Sequence, residues 1–246
     1  MRVKAAFWMV AALLVAGTAD AQYSLRRPKL QAFAIGARLG GELGSIRLDD
    51  EAYDIYSAHP RVGASAGLWM QWRTPAGVAL RPEVMWAMRG GSLECHEVAY
   101  SVQAQQVVIR LGTAYHLPIE RQLTSFYAVV APEVAMLVGG RVNYSDAHIG
   151  EVGMAINASD HRPVEVGLYF GAGVDYPLTA GSRLLYLQAE MGYRVGLTST
   201  FPERQGSTVL NPTLTPQGIF GSRTTGGFEL AVRLGIPFGG EFKIRR

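Results

Sequence analysis

Five glutamates, Glu83, Glu133, Glu165, Glu190 and Glu229, fall at alternate positions of strand-like segments and are the side chains best suited to general acid or base work. Six arginines, Arg38, Arg81, Arg89, Arg110, Arg194 and Arg233, share that alternating face, so a structural ion-pair core is the stronger reading. The five histidines, His59, His96, His116, His148 and His161, are scattered, and four of them fall in segments that read as loops. None forms the i, i+4 pair of a helical zinc site, and Glu94-Cys95-His96 has no partner cluster. Cys95 is the single cysteine, which excludes an internal disulfide and a multi-cysteine metal centre. No P-loop, complete dinucleotide fingerprint or Gly-x-Ser-x-Gly elbow occurs, and Gly171-x-Gly173 lies in mid-strand. No catalytic residue, cofactor-binding residue or metal ligand is therefore assigned, and the expectation is a protein that is not an enzyme.

Positioning that charged face requires a particular architecture. Of 246 residues, 48% are hydrophobic and 17% charged, against a usual charged share of about 25%, which rules out disorder. The net charge is +3 and basic residues cluster no further than the pairs Arg26-Arg27 and Arg245-Arg246, so no nucleic-acid partner is expected. Arg2 and Lys4 precede an apolar run from Ala5 to Gly17, followed by Ala19-Asp20-Ala21. This order predicts a signal peptide over residues 1–21 and a single domain over 22–246. After Gln22 no apolar stretch approaches the ~20 residues of a membrane-spanning helix. Any passage through a membrane must be made by strands.

From residue 33 onward the dominant period is two, in eight segments separated by turn chemistry. One face of every segment is apolar: Phe33 to Leu39, Val62 to Trp72, Val78 to Met88, Val107 to Tyr115, Phe126 to Val138, Val164 to Tyr176, Leu185 to Val195 and Phe228 to Phe238, taking alternate residues. It carries no charge, and Thr113 is its only polar residue. The other face holds the six arginines, the five glutamates, Asp175 and nine glycines, with no lysine. Arginine suits a confined ion-pair network, because its planar fork binds carboxylates and is weakly hydrated, and glycine suits crowded, curving backbone. The polar face is therefore the inside of a narrow barrel and the apolar face its outside. An apolar outside requires hydrocarbon, which admits only structures whose backbone hydrogen bonds are all internal. The expected fold is an all-β, eight-stranded antiparallel up-and-down transmembrane β-barrel with a side-chain-filled interior.

Loop lengths agree. Links near Thr74–Gly77, Leu117-Pro118 and Pro177–Ser182 are short, and those after the first, third, fifth and seventh strands are longer, roughly 15 to 28 residues. That alternation predicts short periplasmic turns and long extracellular loops. With this orientation Phe33, Trp72, Tyr115, Phe126, Tyr176 and Phe238 form an aromatic belt at the periplasmic rim, and Trp86, Tyr193 and Phe228 lie toward the other. Pro82 and Pro132 delete ladder hydrogen bonds inside strands, so a bulge is expected at each.

The stretches Leu80-Arg81-Pro82-Glu83-Val84-Met85-Trp86 with Arg89-Gly90-Gly91, Val166 to Val174, and Gly192-Tyr193-Arg194-Val195-Gly196-Leu197 resemble the outer membrane protein β-barrel domain family, in particular its PorT-like small barrels. Phe228 to Phe238 is similar to the last-strand signal read by the barrel-assembly machinery, with eight residues, Gly239 to Arg246, beyond it. The resemblance covers about residues 30 to 240. It implies location in the cell outer membrane, outer-membrane lipid as partner and the barrel-assembly machinery as a partner during insertion; it implies no reaction. A structural or surface-interaction role is expected, with a partner at the extracellular loops that the residues do not identify. Two alternatives stand beside it: a lipid-modifying outer-membrane barrel enzyme, and a soluble secreted β-barrel with its faces exchanged that binds a small ligand.

Overall fold

The computed structural model describes residues 30–47, 57–95, 98–118, 124–146, 150–156, 162–180, 183–198 and 224–242. The predicted signal peptide, residues 1–21, lies outside them, as do His96, His148 and His161. Nine strands are described: β1 (Leu30–Arg47), β2 (Ser57–Arg73), β3 (Val78–Cys95), β4 (Val98–Pro118), β5 (Ser125–Asp146), β6 (Gly150–Ala155), β7 (Val164–Ala180), β8 (Arg183–Gly196) and β9 (Thr224–Phe242). Eight of them close a ring, β1-β2-β3-β4-β5-β7-β8-β9, with β9 returning to pair β1 from Leu30↔Phe242 to Arg47↔Thr224. Every pairing is antiparallel between ring neighbours. Closure leaves no strand edge in the ring, the condition for backbone to cross hydrocarbon.

Turn chemistry sets the short links. At 74–77 the Thr74 amide donates to the Val78 carbonyl at 2.8 Å, and Gly77 adopts φ +84°. A side chain there would be strained and would also approach the His116 carbonyl, 2.8 Å from an ideal Cβ.

The outer excursions differ from the expected loops. β3 runs to Cys95 and β4 starts at Val98, so this link is a hairpin whose strands keep pairing through Cys95↔Val98. β5 likewise continues to Asp146, beyond Met136 where β7 leaves it, and β6 takes the vacated edge from Arg141↔Ala155 to Asp146↔Gly150. The eight-strand expectation thus describes the ring and omits β6. His59, expected in a loop, lies in β2, within hydrogen-bond range of Glu94 at 3.3 Å on the exposed surface.

The prolines are accommodated without bulges. Between β2 and β3 the register is the same at Trp69↔Glu83 and Trp72↔Leu80, and the ladder omits the two pairs between them, where Pro82 lies. Between β4 and β5 it omits the two pairs between Arg110↔Glu133 and Thr113↔Val130, where Pro132 lies. Each proline keeps its regular partner on the other side, Pro82↔Leu111 and Pro132↔Leu168, because only one edge of a residue needs the missing N–H. The register shifts fall elsewhere, between Gln31 and Phe33 on β1, between Pro60 and Ser65 on β2 and between Gln105 and Gln106 on β4.

Candidate functional site

Each ring strand sends its apolar residues outward. Leu39 is 67% exposed and Phe228 66%, whereas Arg81 and Arg233 on the opposite face are fully buried. The orientation read from alternation is the one observed. Along β9 the outward residues Phe228 and Phe238 are ten residues apart; ten residues at about 3.4 Å, tilted about 40°, rise about 26 Å, the height of an outer-membrane apolar band. At the end nearest the short turns, Phe33 stacks between Trp72 and Phe238, with centroids 6.3 and 5.6 Å away. Trp72, Tyr115, Phe126 and Phe238 are exposed there, forming the expected belt. At the other rim Tyr193 meets Phe228 edge-on at 4.8 Å.

Among the described residues the interior carries seven buried arginines and seven buried carboxylates. Twelve of these were legible in the alternation; Arg73 and Glu42 complete the set. At mid-height Glu83 is ion-paired with Arg81 and Arg233, both at 2.9 Å, and faces Arg38 at 3.5 Å. Glu190 holds the same Arg81 and Arg233 at 2.6 and 2.9 Å and also accepts the Tyr169 hydroxyl at 2.7 Å. Arg110 joins Glu133 (2.8 Å) to Glu229 (3.1 Å), and Glu229 in turn pairs with Arg38. Higher up, Arg89 spans Glu133 and Glu42 at 2.9 and 3.0 Å, and Arg194 reaches Glu42 at 3.3 Å. The chain of contacts is continuous from Arg81 to Glu42 and crosses the lumen between opposite walls. Such cross-wall pairs, fully desolvated and forked, tie strands together that share no ladder.

Inward aromatics fill the remaining space. Arg110 lies over the Tyr169 ring at 3.8 Å and Arg81 over Tyr127 at 5.3 Å. Small residues make room for them: a Cβ on Gly192 would collide with the Tyr169 hydroxyl, and one on Gly235 with the Trp69 ring. Near the short turns stands a separate group. Arg73 contacts Asp175 and His116 Nδ1, each at 2.5 Å, and His116 Nδ1 lies 3.2 Å from the Ser125 hydroxyl. Of the two histidines among the described residues, His116 is the one that the barrel takes inside, at the same alternation parity on β4 as Arg110. This is a serine beside a histidine, but the histidine's other neighbour is a guanidinium, where the Ser-His-Asp triad has a carboxylate that stabilises the imidazolium. Among the described residues no group of three or more His, Cys, Asp or Glu is placed to hold a metal.

Outside the belt, the pattern exchanges its faces. In the upper parts of β3, β4 and β5 the inward residues are apolar: Leu93 and Val102 are buried with Ile46 of β1, and Ala58, Tyr100, Val142 and Ile156 pack around them. The outward residues there are Glu94, Gln103, Gln105, Arg141 and Ser145. This is an ordinary water-facing sheet with a small apolar core, standing over the outer mouth of the ion-paired lumen.

A model of the family described as outer membrane protein beta-barrel domain matches residues 20–202. No curated protein matches the chain. Among solved structures it is similar to the outer membrane protein OprG from Pseudomonas aeruginosa, at 11% identity over 88% of this chain and 100% of that one, with a TM-score of 0.45. It is similar too to Neisserial surface protein A, at 12% identity over 84% and 97% with a TM-score of 0.43. A third likeness is to the outer membrane protease OmpT from Escherichia coli, at 9% identity over 88% and 99% with a TM-score of 0.41. All three scores lie below one half, and these likenesses carry no functional weight.

Proposed function

The chain belongs to the outer membrane protein β-barrel domain family, matched over residues 20–202 of 246, and is an integral barrel of the outer membrane; from that premise we propose that it is a non-enzymatic, closed anchor that holds a folded sheet outside the membrane for contact with other molecules. The observation that carries this reading is the balanced interior of seven arginines and seven carboxylates, buried and joined wall to wall. A lumen crossed wall to wall in this way serves as a strut, and an apolar cluster stands above it. The non-enzymatic part is supported by the Arg73–His116–Ser125 group, in which the histidine faces a guanidinium where a catalytic triad has a carboxylate. Outer-membrane lipid meets the exposed belt. The barrel-assembly machinery inserts the chain, reading β9, which continues past Phe238 to Phe242 and closes the ring.

Planar-bilayer recordings test the closed anchor: the purified protein inserts and passes no steady current, while migrating differently on a denaturing gel before and after boiling. A steady single-channel conductance overturns the closed lumen. Recovery in the soluble periplasmic fraction with no heat-dependent mobility overturns the anchor. Changed lipid composition in a membrane expressing the wild-type chain, lost on replacing His116 or Ser125 by alanine, overturns the non-enzymatic reading.

A further inference from the structure

The short strand β6 has one partner. It pairs with β5 over Gly150–Ala155 and stands at the end of the sheet order, while its other edge, among the described residues, meets no strand. The Ile156 amide donates to the Gly140 carbonyl at 3.1 Å, which sets the phase of this ladder. Hydrogen-bonded and non-hydrogen-bonded pairs alternate in antiparallel sheets, so Met154, Val152 and Gly150 bond to β5. The amide and carbonyl groups of Glu151, Gly153 and Ala155 therefore point to the open edge. Of the usual protections this strand has short length and one charge, Glu151, but no lysine, no proline and no bulge against β5.

A second observation is independent of the backbone. Register places Val152 opposite Tyr144 and Met154 opposite Val142, on the inward, apolar side of the outer sheet. Yet Val152 is 42% exposed, because the apolar layer stops at β6. Among the described residues the edge thus offers unpaired backbone and an unfinished apolar row together. On the outward side the strand carries only Glu151 beside small residues.

We infer that the open edge of β6 captures an extended segment of another protein as an added strand, one that alternates apolar and polar residues and sets a basic side chain beside Glu151. The apolar residues continue the row of Val152 and Met154, and the backbone pairs with Glu151, Gly153 and Ala155. A second copy in the same membrane does not fit. Two such copies are related by an axis along the membrane normal, so their β6 strands run in the same sense and cross at twice their tilt, which precludes an antiparallel ladder. This inference rests on the anchoring function proposed above.

The test uses the full protein in lipid nanodiscs. Amide hydrogen exchange comes first: Glu151, Gly153 and Ala155 exchange fast while Val152 and Met154 are protected. A fluorescent synthetic peptide alternating valine with lysine and threonine then binds saturably, and slows exchange at those three amides. Gly153→Pro and Ala155→Pro each remove an N–H that β5 does not use, and each weakens peptide binding on the order of tenfold while heat-dependent gel mobility stays unchanged. N-methylation of the peptide's alternate residues has the same effect. Protection of Glu151, Gly153 and Ala155 in the protein alone means that its own chain already covers the edge, and overturns the inference. So does a wild-type protein that binds no peptide, or binding indifferent to both prolines. A steady conductance or absent heat-dependent mobility strikes the anchoring function instead, so the two failures are distinguishable.

Discussion

Strand β4 passes through two solvents with one unbroken alternation. In its lower part Val107, Ile109, Leu111 and Tyr115 point outward and Arg110 and His116 inward; in its upper part Gln103 and Gln105 point outward, and Val102 and Ala104 inward. The backbone does not change between them. Neither does the pairing with β3, which holds one register from Val78↔Tyr115 to Cys95↔Val98. What changes is the medium outside, hydrocarbon below and water above, and with it which face must be apolar. The extra residue on β5 falls at this junction: Gln106 pairs with Leu137 and Gln105 with Gly139, leaving Val138 outward and unpaired at the upper limit of the apolar belt.

Substitutions that ignore this exchange should cost most where the medium is least forgiving. The largest effect is expected inside the belt. Glu83→Ala strips the shared counter-charge from Arg81, Arg233 and Arg38 and should destabilise the barrel by about 3–5 kcal/mol, the usual penalty for stranding buried charge. Urea unfolding in lipid vesicles, followed by tryptophan emission, measures it. Next comes the outward face of the same region: Leu111→Arg, near the middle of the belt, should cost about 2–4 kcal/mol in that assay. Smaller is the inward face of the outer sheet, where Val102→Ala removes methyl groups packed on Ile46 and Leu93 and should cost about 2 kcal/mol. Amide exchange of the β3–β4 hairpin would show whether that loss stays local. At the bottom of the scale Gln103→Arg, on the outward face above the belt, should stay within about 0.5 kcal/mol. An equal penalty for Leu111→Arg and Gln103→Arg would abolish the boundary drawn between them.

The same boundary explains which parts of the architecture were readable from residues alone. Below it, twelve of the fourteen buried charges and the aromatic belt follow from period two, because hydrocarbon leaves one face with a single permitted character. Glu42 escaped because the apolar marking of β1 is interrupted at Gly41 before Leu43 resumes it, although the strand continues to Arg47. Arg73 escaped because it directly precedes a turn. The outer hairpin reads as a loop for a related reason: once Gln105, Gln103 and Ser101 replace apolar residues on the outward face, a pattern anchored on that face ends while the ladder does not. The bulges expected at the prolines follow from counting hydrogen bonds per strand and not per edge; Pro82 and Pro132 each break one seam and leave the other regular. The Arg73–His116–Ser125 group joins residues that only ring closure brings together, beyond the reach of local spacing.

Seven positive and seven negative groups inside one closed wall have a consequence for how such a protein can vary. Arg110 and Glu229 touch across the lumen although 119 positions separate them along the chain. Neither can be exchanged alone without leaving a bare charge in a dry interior. Viable drift at these sites must therefore proceed as concerted double changes between distant segments, while the lipid-facing positions beside them are free to swap one apolar side chain for another independently.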